Sequence, residues 1–296
     1  LGSAFEKIYS QLITLSTSLR AGQILPQNSD FSRLQIDTAR QPEPVRSVMM
    51  DLLSVGQAQS LQQSKENLSK GASSIASDLC RGAVKGRYPL NRAAREEIGV
   101  GDFSRLFARS GAMQTFFDEN LAPYVDTNAA NWRVKPESVG VVPASTLASF
   151  ENAALIRDTF FDATGRLSME MILRPVSLSP SILEAVMDVD GQVISYSHGY
   201  SQPVRVTWPG PKGGVYIRIT FKTQDGAMRA VSFDGPWAIF RMYDASNPVR
   251  RSSNSRELTI AMNAVSGFFK IEMSSTMKDY PLWSRALSQF SCPGNI

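Results

Sequence analysis

The hydrophobic period of this chain changes near residue 163, and that change constrains the fold more than any other feature. Upstream, apolar residues recur every three or four positions, as on one face of a helix; downstream they recur every two, as on one face of a strand. Phe5, Ile8, Leu12, Leu15 and Leu19 form the first helical stripe, and Pro26, Pro42 and Pro44 bracket a polar connector after it. A second stripe places Val45, Val48, Met49, Leu52 and Leu53 on one side, and residues 54–70 read as an exposed or frayed rod rich in Gln and Ser. Leu68, Ile75 and Leu79 continue towards Cys80. Arg87-Tyr88-Pro89-Leu90 is extended, because proline pushes Tyr88 out of helical geometry. Asp102 reads as the N-cap of a short helix bearing Phe103, Leu106 and Phe107, ended by Gly111. Met113, Phe116, Phe117 and Leu121 make another face, and a last helix is expected over 146–161.

Beyond Gly165, Val215, Ile217, Ile219 and Phe221 alternate with Tyr216, Arg218, Thr220 and Lys222, a strand with one buried and one wet face. Met169-Met171-Leu173, Leu183-Ala185-Met187-Val189, Val204-Val206-Trp208, Leu258-Ile260-Met262 and Phe269-Ile271-Met273 alternate likewise. Asp190-Gly191 and Asp225-Gly226 between such runs are the favoured chemistry of tight hairpins, and Asp234-Gly235 marks a third turn. The expectation is an α+β chain: a helical domain over 1–163, an antiparallel β-sandwich over 164–280, and a tail over 281–296 that packs back through Leu282, Trp283, Leu287 and Phe290.

Chemistry is limited by a single histidine, His198, in 296 residues. Any Ser-His-Asp or Cys-His system would have to use that imidazole, and a histidine-rich zinc site cannot be built. Cys80 and Cys292, about 210 residues apart, form no CxxC; two buried thiols or one long-range disulfide both fit. The net charge is +4, and the basic residues are scattered rather than striped, which argues against nucleic acid. No run approaches the ~18 apolar residues of a membrane span, and no signal segment opens the chain, whose start reads as cut.

Isolated motifs have ordinary explanations. Gly210-Pro211-Lys212-Gly213-Gly214 lacks phosphate-loop spacing and sits between strands, so it reads as a turn. Asp188-Val189-Asp190-Gly191 lacks the acidic residue that closes a calcium loop. Glu96 and Glu97 are adjacent and point apart; Glu170 and Glu184 sit on strands facing water. His198 lies in Tyr196-Ser197-His198-Gly199-Tyr200, a composition suited to a protein-contact rim or to an ordinary exposed turn.

Taken in order, Cys80, Arg87-Tyr88-Pro89-Leu90, Asp102-Phe103, Phe107, Gly111, Phe116-Phe117 and Trp132 carry a more specific pattern. It continues through Ile156-Arg157, Phe160-Phe161, Trp208-Pro209-Gly210, Gly235-Pro236-Trp237 and Phe290-Ser291-Cys292-Pro293. The pattern resembles the C-terminal periplasmic region of the TssM (IcmF) family, a core membrane subunit of bacterial type VI secretion systems; Leu90 stands where that family often has Phe. The resemblance covers about residues 70–296 and implies a non-enzymatic scaffold without cofactor. Its implied partners are the outer-membrane lipoprotein TssJ, with TssL and further TssM copies, at the end of an inner-membrane-anchored protein. It also implies an oxidising compartment, which permits a Cys80–Cys292 disulfide stapling the tail to the helical domain, worth roughly 4–5 kcal/mol in a chain-entropy estimate. The hairpin loops at Asp190, Gly191, His198, Tyr200, Asp225 and Gly226 are the expected partner contacts. A peptidoglycan- or carbohydrate-binding module is the rival, with Trp208, Trp237 and Trp283 as sugar platforms if they are exposed.

Overall fold

The computed structural model describes residues 35–136, 142–213, 216–262, 267–277 and 280–293, except position 130, together with residues 6, 9, 10, 13, 14 and 17. The first helical stripe, from Phe5 to Leu19, and Val215 lie outside the described residues. The chain forms two compact units of interleaved segments. The first comprises Leu1–Gly82, Ala112–Glu151 and Ser291–Ile296, the second Ala83–Gly111 and Asn152–Phe290. The change of secondary-structure type near 163 is therefore a different division from that of the compact units.

In the first unit, helix α1 spans Val45–Ser74 and continues as a π-helical stretch over Ile75–Val84. Residues 54–70 extend this continuous helix as a largely exposed rod, the first of the two expected alternatives, and do not fray. Met49, Leu53, Leu68 and Ala72 are buried, at helical spacing, while Val48 and Leu52 are exposed. The expected inner face is thus rotated by one residue. Gly71 is required by packing: a Cβ there would lie 2.5 Å from the Phe116 ring. That ring stacks on Phe150, 5.6 Å away, and Phe117 packs on Trp132 at 4.7 Å. The sulfurs of Cys80 and Cys292 are bonded, with their Cα atoms 5.7 Å apart. Beside them the Ser149 and Ser291 hydroxyls lie 3.2 Å apart.

The second unit contains helix α2 (Val100–Phe107), the later turns of a helix over Ala144–Phe160, and nine strands. Gly99, not Asp102, is the N-cap of α2; Asp102 lies in its first turn and pairs with Arg105. The strands are β1 (Met169–Leu178), β2 (Ile182–Val189), β3 (Gln192–Tyr196), β4 (Val204–Trp208), β5 (Tyr216–Thr223), β6 (Met228–Asp234), β7 (Val249–Arg250), β8 (Ser255–Ala261) and β9 (Phe268–Ser274). They form two antiparallel sheets, β4-β1-β9-β8-β7 and β3-β2-β5-β6. Met169, Met171, Leu173, Ala185, Met187, Ile217, Ile219, Phe221, Leu258, Ile271 and Met273 are all within 1% of full burial, the inner faces of a sandwich. One member of the expected alternation departs: the β2–β5 register shifts between Ile182 and Glu184, so Ile182 points inward and Leu183 is 43% exposed.

The two ends of the sandwich differ in kind. At the end where β1 begins and β4 and β6 finish, the chain turns through Gly235-Pro236-Trp237 into a helix, α3 (Ala238–Ala245), that periodicity did not reveal. Trp237 is fully buried among the rings of Phe103, Phe160 and Phe240, and its indole N–H donates to the Ile98 carbonyl at 2.6 Å. Trp208 donates to Pro236 O at 3.1 Å. Around them, Arg241 stacks 3.5 Å from the Tyr88 ring centroid while the Tyr88 hydroxyl donates to Asp244 at 2.7 Å. Burial, and then that hydrogen bond, push the Tyr88 phenol above its ordinary value. The tail packs back here: Leu282 and Leu287 are buried, and Phe290 meets the Phe107 ring edge-on at 4.8 Å.

This end also holds the Asp190-Gly191 hairpin, whose residues take φ of 49° and 92°. Gly210 packs directly on it, so a Cβ there would lie 2.7 Å from the Asp190 carbonyl oxygen and 2.9 Å from its Cβ. Gly210→Ala is expected to destabilise the chain by about 1–3 kcal/mol, because backbone rather than a flexible side chain must move. Chemical denaturation checks this, and an unchanged midpoint would refute the packing described.

Candidate partner-binding surface

At the opposite end of the sandwich lie the β1–β2 connection, the β3–β4 loop and the β5–β6 turn. The register places them together: β2 begins at Ile182 opposite Thr223, the last residue of β5, while β3 finishes at Tyr196 opposite Ala185. His198, Tyr200, Asp225 and Gly226 therefore share one rim. Asp190 and Gly191 belong to the other end, and Asp190 is fully buried. The six residues expected to contact a partner are thus divided between the two ends of the sandwich. A two-residue hairpin exposes its tip only when nothing packs on it, and here Gly210 and the Lys212 side chain do.

The rim is held by its own hydrogen bonds. His198 Nε2 lies 2.7 Å from the Ile182 carbonyl oxygen, and His198 and Gly199 take positive φ of 70° and 80°. The Tyr196 hydroxyl shares its one proton between Gly199 O at 3.0 Å and Val176 O at 3.2 Å, and the Ser201 hydroxyl donates to Pro175 O. Across the rim, Gln224 donates through its backbone N–H to Ser181 O at 3.0 Å and through its side-chain amide to Pro180 O at 2.7 Å. Asp225 closes its turn by accepting from the Thr223 hydroxyl and from Ala227 N–H at 3.2 Å. Those two bonds, the hydroxyl's first, hold its carboxyl below the usual aspartate value. Above this fixed frame Tyr200 stands 89% exposed, and Leu183 on β2 and Met228 (64% exposed) on β6 are exposed at the same end of the sheet. Sequence periodicity could not find Leu183, because only the register shift turns it outward.

The other readings can be placed as well. Trp208 and Trp237 are fully buried, and Trp283 lies under the Arg256 guanidinium, 4.7 Å from its ring, so none of the three is an open sugar platform. Glu97 pairs with Arg241, Glu96 with Arg87 and Glu170 with Arg205, so these carboxylates do not converge. Among the described residues no group of three or more His, Cys, Asp or Glu side chains is placed to hold a metal ion. Nor is any helix among them long and apolar enough to cross a membrane. The Gly210–Gly213 segment lies between strands as a turn; Lys212 donates to the Tyr216 hydroxyl at 2.8 Å.

Comparison with known proteins agrees with this architecture. Residues 171–275 match the type VI secretion protein IcmF C2-like domain. The chain is 30% identical over 270 residues to the type VI secretion system component TssM1 of Pseudomonas aeruginosa. That alignment covers 90% of this chain and 24% of the relative, so the chain spans about a quarter of the curated protein it matches. The fold matches the type VI secretion TssM C-terminal domain from EAEC with a TM-score of 0.64 at 16% identity, over 78% of this chain and 98% of that one. It also matches a chain of a type VI secretion system membrane core complex with a TM-score of 0.71 at 15% identity, over 96% of this chain and 60% of that one. With an IcmF C2-like domain laid on the sandwich itself, and the similarity to TssM1 running through both compact units, the chain is similar along most of its length to the TssM (IcmF) family.

Proposed function

We propose that this chain is a periplasmic scaffold of the type VI secretion membrane complex that binds the outer-membrane lipoprotein TssJ and so helps link inner to outer membrane. TssL and further TssM copies are the remaining proposed partners, and no catalysis or cofactor is involved. The observation that carries the reading is the asymmetry of the sandwich. Within the second unit, one end is filled by α3, the aromatic cluster and the tail. The other presents a hydrogen-bonded rim topped by an exposed tyrosine. A preorganised rim loses little conformational entropy on association, and tyrosine is a favoured anchor at interfaces. The Cys80–Cys292 bond supports an oxidising compartment.

Calorimetric titration with the non-acylated lipoprotein tests this. Tyr200→Ala is expected to weaken binding by at least about thirtyfold, the roughly 2 kcal/mol threshold of an interface hot spot. Its melting curve should match that of the parent chain, because the side chain packs on little. Equal affinity for parent and variant would move the contact away from the rim.

A further inference from the structure

The outer faces of the two sheets treat their charges differently. On the β4-β1-β9-β8-β7 sheet they are knitted together: Arg174 with Glu272, Arg205 with Glu170, and Arg251 and Lys270 with Glu257. On the β3-β2-β5-β6 sheet, Glu184, Arg218 and Lys222 enter no ion pair among the described residues, although Arg218 and Lys222 are exposed. Between them the same outer face carries Val186, Ser195, Thr220, Ala230 and Ser232, small side chains that let another surface come close.

The charges are also arranged in two stripes in register. Glu184 and Asp188 lie on β2; Lys222 and Arg218 lie directly opposite them on β5. Asp188 is held in place by the Gly191 N–H at 2.6 Å and the Tyr216 hydroxyl at 2.7 Å, and its remaining lone pairs are what a second copy's arginine would meet, so Glu184 and Lys222 carry the pairing. A two-fold axis running along the strands between β2 and β5 would set each copy's β2 over the other's β5 at the same height. Glu184 would then face the second copy's Lys222, and Asp188 its Arg218, with Val186 over Thr220. The face is complementary to itself, as an isologous interface must be. We propose that the outer face of the β3-β2-β5-β6 sheet is a docking surface for a second copy of this chain, joined sheet to sheet through these pairs. Four strands of about seven residues present roughly 19 by 23 Å. Two copies would bury on the order of 1,000 Å², the weak and concentration-dependent class of interface.

Charge reversal gives a sharp test, because both reversed residues are on the solvent side of the sheet. The parent chain should show concentration-dependent dimerisation by sedimentation equilibrium. Glu184→Lys places lysine opposite lysine twice, and Lys222→Glu places glutamate opposite glutamate twice, so each variant alone should self-associate at least about tenfold more weakly. Mixed together they restore both pairs, and a heterodimer as tight as the parent dimer is expected. Melting curves of the single variants should match the parent, showing that the fold is intact. A strictly monomeric parent chain, or a mixture no tighter than either variant alone, overturns the proposal. So does a monomer in which these reversals weaken lipoprotein binding, which would assign the face to that partner instead.

Discussion

Replacing Cys80 and Cys292 together by alanine is expected to lower the unfolding free energy by about 3–5 kcal/mol. The bond closes a loop with a sequence separation of 212, so its removal releases a large part of the unfolded chain's freedom. The larger figure applies when both units unfold together. If the second unit outlives the first, its folded body shortens the effective loop and the effect falls towards the smaller figure. Cys80 is fully buried, and the double substitution avoids leaving an unpaired thiol there. Guanidinium unfolding followed by far-ultraviolet dichroism measures the change, and alkylation before reduction counts the thiols of the parent chain. Two alkylatable thiols, or an unchanged midpoint, would contradict the expectation.

Truncating Trp237 to alanine should cost a similar amount, about 3–5 kcal/mol, through another mechanism. The indole is completely buried, with the Phe103 ring edge-on at 5.0 Å and the Phe240 ring at 5.6 Å. Its removal leaves a cavity and strips the Ile98 carbonyl of its 2.6 Å hydrogen bond. Trp237→Phe keeps much of the ring packing and loses the donor, so a smaller cost of about 1–3 kcal/mol is expected. Differential scanning calorimetry of the three chains checks the order. A Trp237→Ala chain as stable as the Phe variant would mean that the cluster does not support this end of the sandwich.

These two sites show how unevenly the fold is written in the sequence. The inner faces of the strands were legible because alternation is local: Ile217, Ile219 and Phe221 declare their own side of the sheet. The hairpins at Asp190-Gly191 and Asp225-Gly226 were equally plain, since the positive φ at Asp190, Gly191 and Gly226 favours aspartate and glycine there. What packs on a hairpin is not local. Asp190 is buried because Gly210, twenty residues away, permits backbone contact, and no periodicity reports that. The helix after Trp237 was hidden because its eight residues make only about two turns, too short a run for a helical period to stand out. Leu183 was misread for the opposite reason: one extra residue in β2 reverses its side. The family resemblance supplied the partners and the reason to ask about Cys80 and Cys292, which composition left open. The clustering of His198, Tyr200 and Asp225 at one end needed the strand register.

Hydrogen exchange on the chain with and without the purified lipoprotein tests the central claim most directly. Amides of residues 198–202 and 224–227 should slow on binding, while those of 191, 212 and 213, at the filled end, should exchange as before. Protection confined to the filled end or to the first compact unit, with the rim unchanged, would contradict the account.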